Sequence, residues 1–224
     1  MNFGAIFAAG AFNIPGLNIP KEVLNSISQQ LVQSTFGTND YFSFLAVGML
    51  SFVALFTAMY SGMSIVWDRR LGFLNKLPVI RGLTQSAVVF VIAILLGLDL
   101  SHITILGVIG TFVALFFMLL GLSSLFVMLA TRSKSWESQT AIMNLLNLPL
   151  LFASNALFPE KFVPSWLPPI VRINPISYAT DVARQLLLGA TGMASLTFDF
   201  TYLTAFAVCL SVLGMYMPWK FLTK

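Results

Sequence analysis

The stretch FSFLAVGMLSFVALFTAMYSGMSIVW, from Phe42 to Trp67, decides the fold of this chain. It contains no charged residue, and the charged group Asp68, Arg69 and Arg70 follows it directly. A bilayer core is crossed by about 20 mostly apolar residues. Because lipid offers no hydrogen-bond partners to the backbone, such a segment must be helical. The stretch therefore predicts a transmembrane helix.

The overall composition agrees with this interpretation. Of the 224 residues, 58% are hydrophobic and only 9% are charged, whereas roughly a quarter of the residues of a soluble domain are charged. A large aqueous domain is therefore excluded. The net charge of +4 comes from sparse cations between apolar runs, which is typical of membrane topology signals. We expect no nucleic-acid partner.

Further apolar runs predict additional spans at residues 82–98, 103–130, 140–158 and 200–217. Residues 1–19 are apolar over a shorter length and are interrupted by Pro15 and Gly16. The expected fold is an all-α, polytopic transmembrane helix bundle with five clear spans plus a short N-terminal one. A single cysteine, Cys209, and a single histidine, His102, exclude a disulfide framework and a His-rich metal cluster.

The distribution of Lys and Arg predicts the orientation, because these residues favour cytoplasmic loops. Alternating the loops assigns eight of the twelve cations to one side, which has a net charge of +6, and four to the other, with −2. We therefore expect residues 68–81, residues 131–139 and the C-terminus to be cytoplasmic. Residues 159–199 are expected outside. This predicts a multi-pass protein of the cell membrane.

Residues 68–81 combine four cations with Leu71, Leu74 and Leu77 at three-residue spacing. The pattern predicts a short amphipathic helix that Pro78 helps to stop. Two interpretations remain open. The segment either rests among lipid head groups or docks into a groove on a cytoplasmic partner.

The outer segment, residues 159–199, is too apolar for a free loop and too interrupted for a span. Asn174 suits a helix N-cap, Pro175 the first helical position and Gly189 the C-terminal end. We expect two short re-entrant helices here, the first presenting Val163, Trp166, Ile170 and Ile173 on one face. Within the second helix, Asp181 and Arg184 are predicted to form a surface pair.

Polar residues are unusually frequent in the predicted span 140–158. At 100° per residue, Asn144 and Asn155 fall on similar sides of a helix, with Asn147 nearby. They either form hydrogen bonds between helices or line a substrate path. Elsewhere the sequence contains no G-x-x-x-x-G-K-[ST] phosphate-binding loop, so we expect no nucleotide-binding site in this chain.

Two motifs resemble those of the type-2 ABC transporter permeases, the membrane subunits of many bacterial and archaeal exporters. The first comprises Asp68, Arg69, Gly72, Leu74, Leu77, Pro78 and Arg81. The second comprises Phe158-Pro159, Pro164-Ser165-Trp166-Leu167, Asn174-Pro175-Ile176-Ser177-Tyr178, Asp181 and Arg184. The resemblance covers about residues 40–217 and implies one exporter transmembrane domain over 1–224. Because the family begins with an amphipathic helix and a complete first span, residues 1–19 are expected to be a truncated or marginal first span.

The resemblance implies a transport subunit rather than an enzyme. Two permease subunits, as a homodimer or a heterodimer, would pair with ABC ATP-binding subunits, and ATP and Mg²⁺ would bind there, with no cofactor in this chain. The coupling contact is then assigned to Asp68, Arg69, Arg70, Gly72, Leu74, Lys76, Leu77, Pro78 and Arg81. The outer gate is assigned to Trp166, Asn174, Pro175, Tyr178, Asp181 and Arg184.

The expected cargo is a hydrophobic or amphipathic molecule: a drug, an antibiotic, a lipid or a lipid-linked glycan. Asn144, Asn147 and Asn155 are candidates for its path. Two other hypotheses remain: a stand-alone membrane channel, and an inactive or regulatory remnant of a permease.

Overall fold

The structure, a computed structural model, describes residues 41–71, 78–132, 135–157 and 164–222, together with Gln30, Gln33 and residues 36–38. From residue 41 onward the described residues form helices and no strand. The helices are α1 (Tyr41–Leu71), α2 (Pro78–Leu95), α3 (Ile105–Arg132), α4 (Trp136–Phe152), α5 (Pro168–Val171), α6 (Pro175–Leu188) and α7 (Leu196–Leu222). The predicted all-helical class is confirmed.

Helix α3 lies at the centre of the bundle and packs against α1, α2, α4, α6 and α7. Its buried face carries large apolar side chains at helical spacing, including Leu115, Leu119, Leu122 and Phe126, all with no exposed surface. Among the longer helices, α4 packs least extensively, with small contacts to α1 and α3. Its position therefore depends on what holds its end.

Three helical stretches of the described chain are long and apolar enough to cross a membrane: Tyr41–Tyr60, Ile105–Ala130 and Leu196–Gly214. The apolar part of α2, Val79–Leu95, is shorter, and α4 has 17 residues. The predicted count of five spans plus a short one is thus not established by the described helices. Residues 1–19 lie outside them.

The structure corrects the predicted helix at residues 68–81. Helix α1 continues through Asp68, Arg69 and Arg70 to Leu71, and Pro78 begins α2 instead of stopping a helix. A proline in the first helical turn loses no intrahelical hydrogen bond, and its fixed φ suits the helix. Residues 72–77, which include Gly72, Leu74, Lys76 and Leu77, lie outside the described residues.

Helix α4 ends at Phe152, earlier than the predicted limit at residue 158. A turn follows from Ala153 to Leu157, and the Ala153 amide donates to the Pro149 carbonyl. Asn155 therefore lies beyond the helix, so the helical argument that placed it on one face with Asn144 is wrong. The outer residues Phe158 and Pro159 are not among the described ones.

The prediction for α6 is confirmed at both ends. The Asn174 side chain accepts a hydrogen bond from the Ile176 amide (3.0 Å), and Pro175 is the first helical residue. Gly189 closes the helix with φ +63°, a left-handed conformation that suits a residue without Cβ. The preceding helix, α5, has only four residues, and Ile170 and Ile173 are exposed and share no buried face. Val163 is outside the described ranges.

Gly48 permits the close approach of α1 to the turn after α4. A methyl group at this position would lie 2.0 Å from the Ala156 carbonyl oxygen and 3.1 Å from Nη2 of Arg184. No other residue type fits there without backbone movement. The backbones of α1 and of the turn after α4 are therefore in direct contact. This brings carbonyl groups of the turn within hydrogen-bond distance of α6.

We predict that Gly48→Ala lowers the stability of the protein in detergent by about 1–3 kcal/mol, the usual cost of overpacking. Gly214→Ala is the matched control, because its new methyl group would lie 3.4 Å from Ser124 Cβ, an ordinary contact. Thermal unfolding of both variants measures the difference. Equal stability of the two variants would contradict the close approach at Gly48.

Candidate functional site at the end of the bundle closed by α6

Arg184 of α6 joins three parts of the chain. Its Nη1 donates to the Asn155 carbonyl (2.5 Å), and its Nη2 donates to the carbonyls of Ala156 (2.7 Å) and Phe44 (3.3 Å). The guanidinium carbon also lies 3.4 Å from the centre of the Phe44 ring. Such a cation–π contact is strongest where water is excluded. Helices α1 and α6 and the turn after α4 are therefore fixed at one point.

Asn174 makes a second connection to the end of α4. Its Nδ2 donates to the carbonyls of Leu150 (2.6 Å) and Ala153 (2.7 Å). Ser177 adds a third, because its hydroxyl accepts from the Asn155 amide (3.1 Å). The last carbonyls of a helix have no intrahelical partner, so Asn174 supplies donors that α4 itself cannot, and Ser177 supplies an acceptor to the turn that follows. We call Asn174, Ser177 and Arg184 the clasp.

The predicted surface pair of Asp181 and Arg184 is wrong. Both side chains are buried, each with 3% of its surface exposed, and they hydrogen-bond to different groups. Burial lowers the pKa of the Arg184 guanidinium to about 9, and the negative charge of Asp181 opposes this shift. Arg184 therefore remains charged at neutral pH.

Asp181 holds the segment that leads from α6 to α7. Its Oδ2 accepts from the amides of Met193 (2.7 Å) and Ala194 (3.1 Å) and from Gln185 Nε2 (3.1 Å). Burial raises the pKa of the Asp181 carboxyl, and these hydrogen bonds and the charge of Arg184 oppose that rise. Gln185 Nε2 also lies 3.0 Å from Oδ2 of Asp199, in the first turn of α7. One amide thus bridges two carboxyl groups.

Two tyrosines connect α5, α6 and α7. The rings of Tyr178 and Tyr202 stack with centroids 4.1 Å apart. The Tyr178 hydroxyl donates to the Arg172 carbonyl, and the Tyr202 hydroxyl donates to the Ile173 carbonyl. The short turn between α5 and α6 is therefore held from both sides.

The structure gathers five of the six predicted outer-gate residues into one buried polar junction: Asn174, Pro175, Tyr178, Asp181 and Arg184. Trp166 is separate, with 67% of its surface exposed. The sequence interpretation missed Gln185 and Asp199, although Gln185 lies four residues after Asp181, the spacing of neighbours on one helix face. For Phe44 and Gly48 no local signal existed, because their partners are distant in sequence.

The three asparagines proposed for a substrate path are not brought together on one helix face. Asn144 is exposed and Asn147 is buried, both on α4, while Asn155 lies in the turn beyond it. The side-chain Oδ1 of Asn147 has no hydrogen-bond partner among the described residues. The Asn155 main chain takes part in the clasp, as described above.

At the opposite end of the bundle, α1 ends with the Asp68, Arg69 and Arg70 group and α2 begins at Pro78. Arg81 lies in the first turn of α2 and is exposed. The cations of the predicted coupling segment that fall in the described ranges are thus at helix ends.

Comparison with known protein families shows to which family the chain belongs. Residues 77–188, half of the chain, match the family model described as ABC-2 type transporter. The chain belongs to the ABC-2 type transporter family. The match includes Asn174, Ser177 and Arg184, so the whole clasp lies inside the part of the chain that defines the family. With its apolar helices, this ABC-2 chain is a membrane protein.

Several curated relatives support the assignment. A protein of Cyanophora paradoxa named transport permease ycf38 is 30% identical over 200 residues, covering 82% of this chain and 62% of that protein. Its counterpart in Porphyra purpurea is 29% identical, covering 65% and 56%. The daunorubicin resistance ABC transporter permease protein DrrB1 of Streptomyces coeruleorubidus is 26% identical, covering 69% and 60%. The ABC-2 chain thus spans about three fifths of the length of these relatives.

We predict that Arg184→Met destabilises the ABC-2 chain by about 3 kcal/mol or more, because buried carbonyl groups lose their donors and Asp181 loses a neighbouring charge. Arg184→Lys should lose less, since it keeps the charge but not the forked geometry. Thermal unfolding in detergent measures both. Arg172→Met, at an exposed arginine, is the control, and a loss in Arg184→Met no greater than in this control would refute the clasp.

Proposed function

We propose that this chain is the membrane-spanning permease subunit of an ATP-driven ABC exporter, powered by a separate ATP-binding subunit. Membership of the ABC-2 type transporter family carries the proposal. The likeness to relatives named transport permease and ABC transporter permease supports it. The sequence has no phosphate-binding loop, so ATP and Mg²⁺ would bind to the partner subunit, and this chain would carry no cofactor.

In the proposed orientation, the clasp lies outside the cell and the C-terminus lies in the cytoplasm. The cation excess at the ends joined by residues 72–77 and 133–135 supports this direction. Chains of this kind would pair, as a homodimer or a heterodimer, and each would contact one ATP-binding subunit.

The proposed coupling element comprises the end of α1, residues 72–77 and the first turn of α2. A long, continuous α1 supports this role. One end of this helix carries the charged group Asp68, Arg69 and Arg70, and near the other end Phe44 contacts Arg184. Movement imposed on one end of a rigid helix is carried to the other. The clasp would then act as the outer gate between two packings of the bundle.

The proposed cargo is hydrophobic or amphipathic. The spans Tyr41–Tyr60 and Ile105–Ala130 contain no charged residue, and Leu196–Gly214 contains only Asp199, near its beginning. An ion path usually needs charge inside the membrane. Asn147 is buried on α4, and its side-chain Oδ1 has no partner among the described residues. This supports α4 as a wall of the substrate path, and Asn144 and Asn155 are further candidates for residues that line it.

The orientation can be tested by cysteine labelling. In a Cys209→Ala background, we predict that Ser165→Cys reacts with a membrane-impermeant maleimide in intact cells, because Ser165 is exposed on the proposed outer side. Asn75→Cys should react only after the cells are permeabilised. The reverse pattern would invert the topology, and labelling at both positions in intact cells would refute a closed membrane arrangement.

Coupling can be tested by charge reversal. We predict that the combined change Arg69→Glu, Arg70→Glu and Lys76→Glu abolishes co-purification of a co-expressed ABC ATP-binding protein from the same organism. The loss should follow from repulsion at a contact that needs cations. The ATPase activity of the co-purified complex in nanodiscs, with and without hydrophobic cargo, is the second readout.

The control for charge reversal is Lys161→Glu combined with Arg172→Glu, on the proposed outer side, which should leave co-purification intact. Stoichiometric association of the coupling variant would refute the role of residues 68–81. If the unaltered chain binds no ATP-binding protein at all, the channel or remnant hypothesis replaces the exporter.

A further inference from the structure

A cavity of about 470 Å³ lies between the middle of α1 and the first half of α2. Its volume is in the range of small-molecule sites. It opens to the surface, because Tyr60, Arg81 and Gln85 on its rim are exposed. None of the contacts of the clasp reaches it.

One wall of the cavity is aromatic. Phe52, Phe56 and Tyr60 follow each other at four-residue spacing on α1, which places them on one face. Their ring centroids are 4.7 Å apart for the first pair and 6.4 Å for the second. This continuous apolar strip can contact part of an extended hydrocarbon chain.

The polar end of the cavity offers hydrogen-bond donors. Arg81 and Gln85 lie four residues apart on α2, so both face the same side, and among the described residues Arg81 is the only charged one that lines the cavity. The Thr57 hydroxyl contacts both the Val53 carbonyl (2.8 Å) and Oε1 of Gln85, and Nε2 of Gln85 is a donor that a ligand in the cavity can use. A guanidinium beside an amide N–H group is suited to an anion.

Both helices change from polar to apolar in the same direction. On α2, Arg81 and Gln85 are followed on the same face by Val88 and Ile92, which are about half exposed. On α1, the polar hydroxyl of Tyr60 is at the end near Arg81, and the phenylalanines lie deeper. The expected ligand therefore has an anionic group at the membrane edge and an apolar chain directed toward the membrane centre.

We propose that this cavity binds an anionic phospholipid, with its phosphate against Arg81 and Gln85 and one acyl chain along Phe52, Phe56 and Tyr60. The exposed apolar face of α2 next to the cavity is where bilayer lipid would meet the protein. The assignment to the cytoplasmic leaflet rests on the proposed function, whereas binding itself does not depend on the orientation or on an ATP-binding partner.

The test uses the full chain in nanodiscs that contain phosphatidylglycerol or phosphatidylcholine probes with the same photoreactive acyl chain. Mass spectrometry locates the cross-linked peptides. We expect the phosphatidylglycerol probe to label residues 52–60 and 81–92 about five-fold more than the phosphatidylcholine probe, the factor given by one cation at an anionic membrane surface. Arg81→Gln should remove this preference, and Arg81→Lys should retain it.

Arg172→Gln, the same charge change at an exposed position on another element, is the control and should retain the preference. Equal labelling by the two probes in the unaltered chain would overturn the proposal, as would a preference that survives Arg81→Gln. Absence of labelling in the cavity would also overturn it, since another segment or a second copy would then cover the site. Because no ATP-binding subunit is present, failure here is distinct from failure of the exporter proposal.

Discussion

The arrangement of this chain depends on one buried cation, the guanidinium of Arg184. A charged group with almost no exposed surface needs partners for its N–H groups, because water is not available to solvate it. Here the partners are main-chain carbonyls of Phe44, Asn155 and Ala156. Because these acceptors belong to the main chain, the backbones of α1 and of the turn after α4 must both come within hydrogen-bond distance of α6. Gly48 is the residue that permits this approach.

This constraint matters more in a membrane than it would in water. Between transmembrane helices, apolar burial gives little preference for one packing over another, because lipid tails are as apolar as leucine. The large side chains on α3 fill the centre of the bundle, but they do not determine which carbonyl meets which donor. The hydrogen bonds of the clasp do. They are most important for α4, because its contacts with α1 and α3 are small. Asn174 holds its Leu150 carbonyl, and Arg184 holds the turn that follows it.

Features that depend on neighbouring residues could be predicted from the sequence. Features that depend on contacts between distant residues could not. The limits of α6 followed from Asn174, Pro175 and Gly189, because caps act within one helical turn. The burial of Asp181 and Arg184 could not be predicted in this way, since their three-residue spacing is equally suited to a surface pair. The end of α4 at Phe152 was also missed, because the donors that replace its next helical turn come from residues more than twenty positions later. The aromatic face of the α1–α2 cavity is regular in sequence, but its partner on α2 is known only from the packing.

The clasp also limits which parts of the bundle are able to move separately. Separation of the clasp would break three hydrogen bonds from Arg184 and leave buried polar groups without partners. Helix α6 therefore moves with the beginning of α1 and the end of α4 as one unit unless a large free energy is supplied. Movement within the clasp would break its hydrogen bonds, whereas movement of the clasp as a whole would keep them.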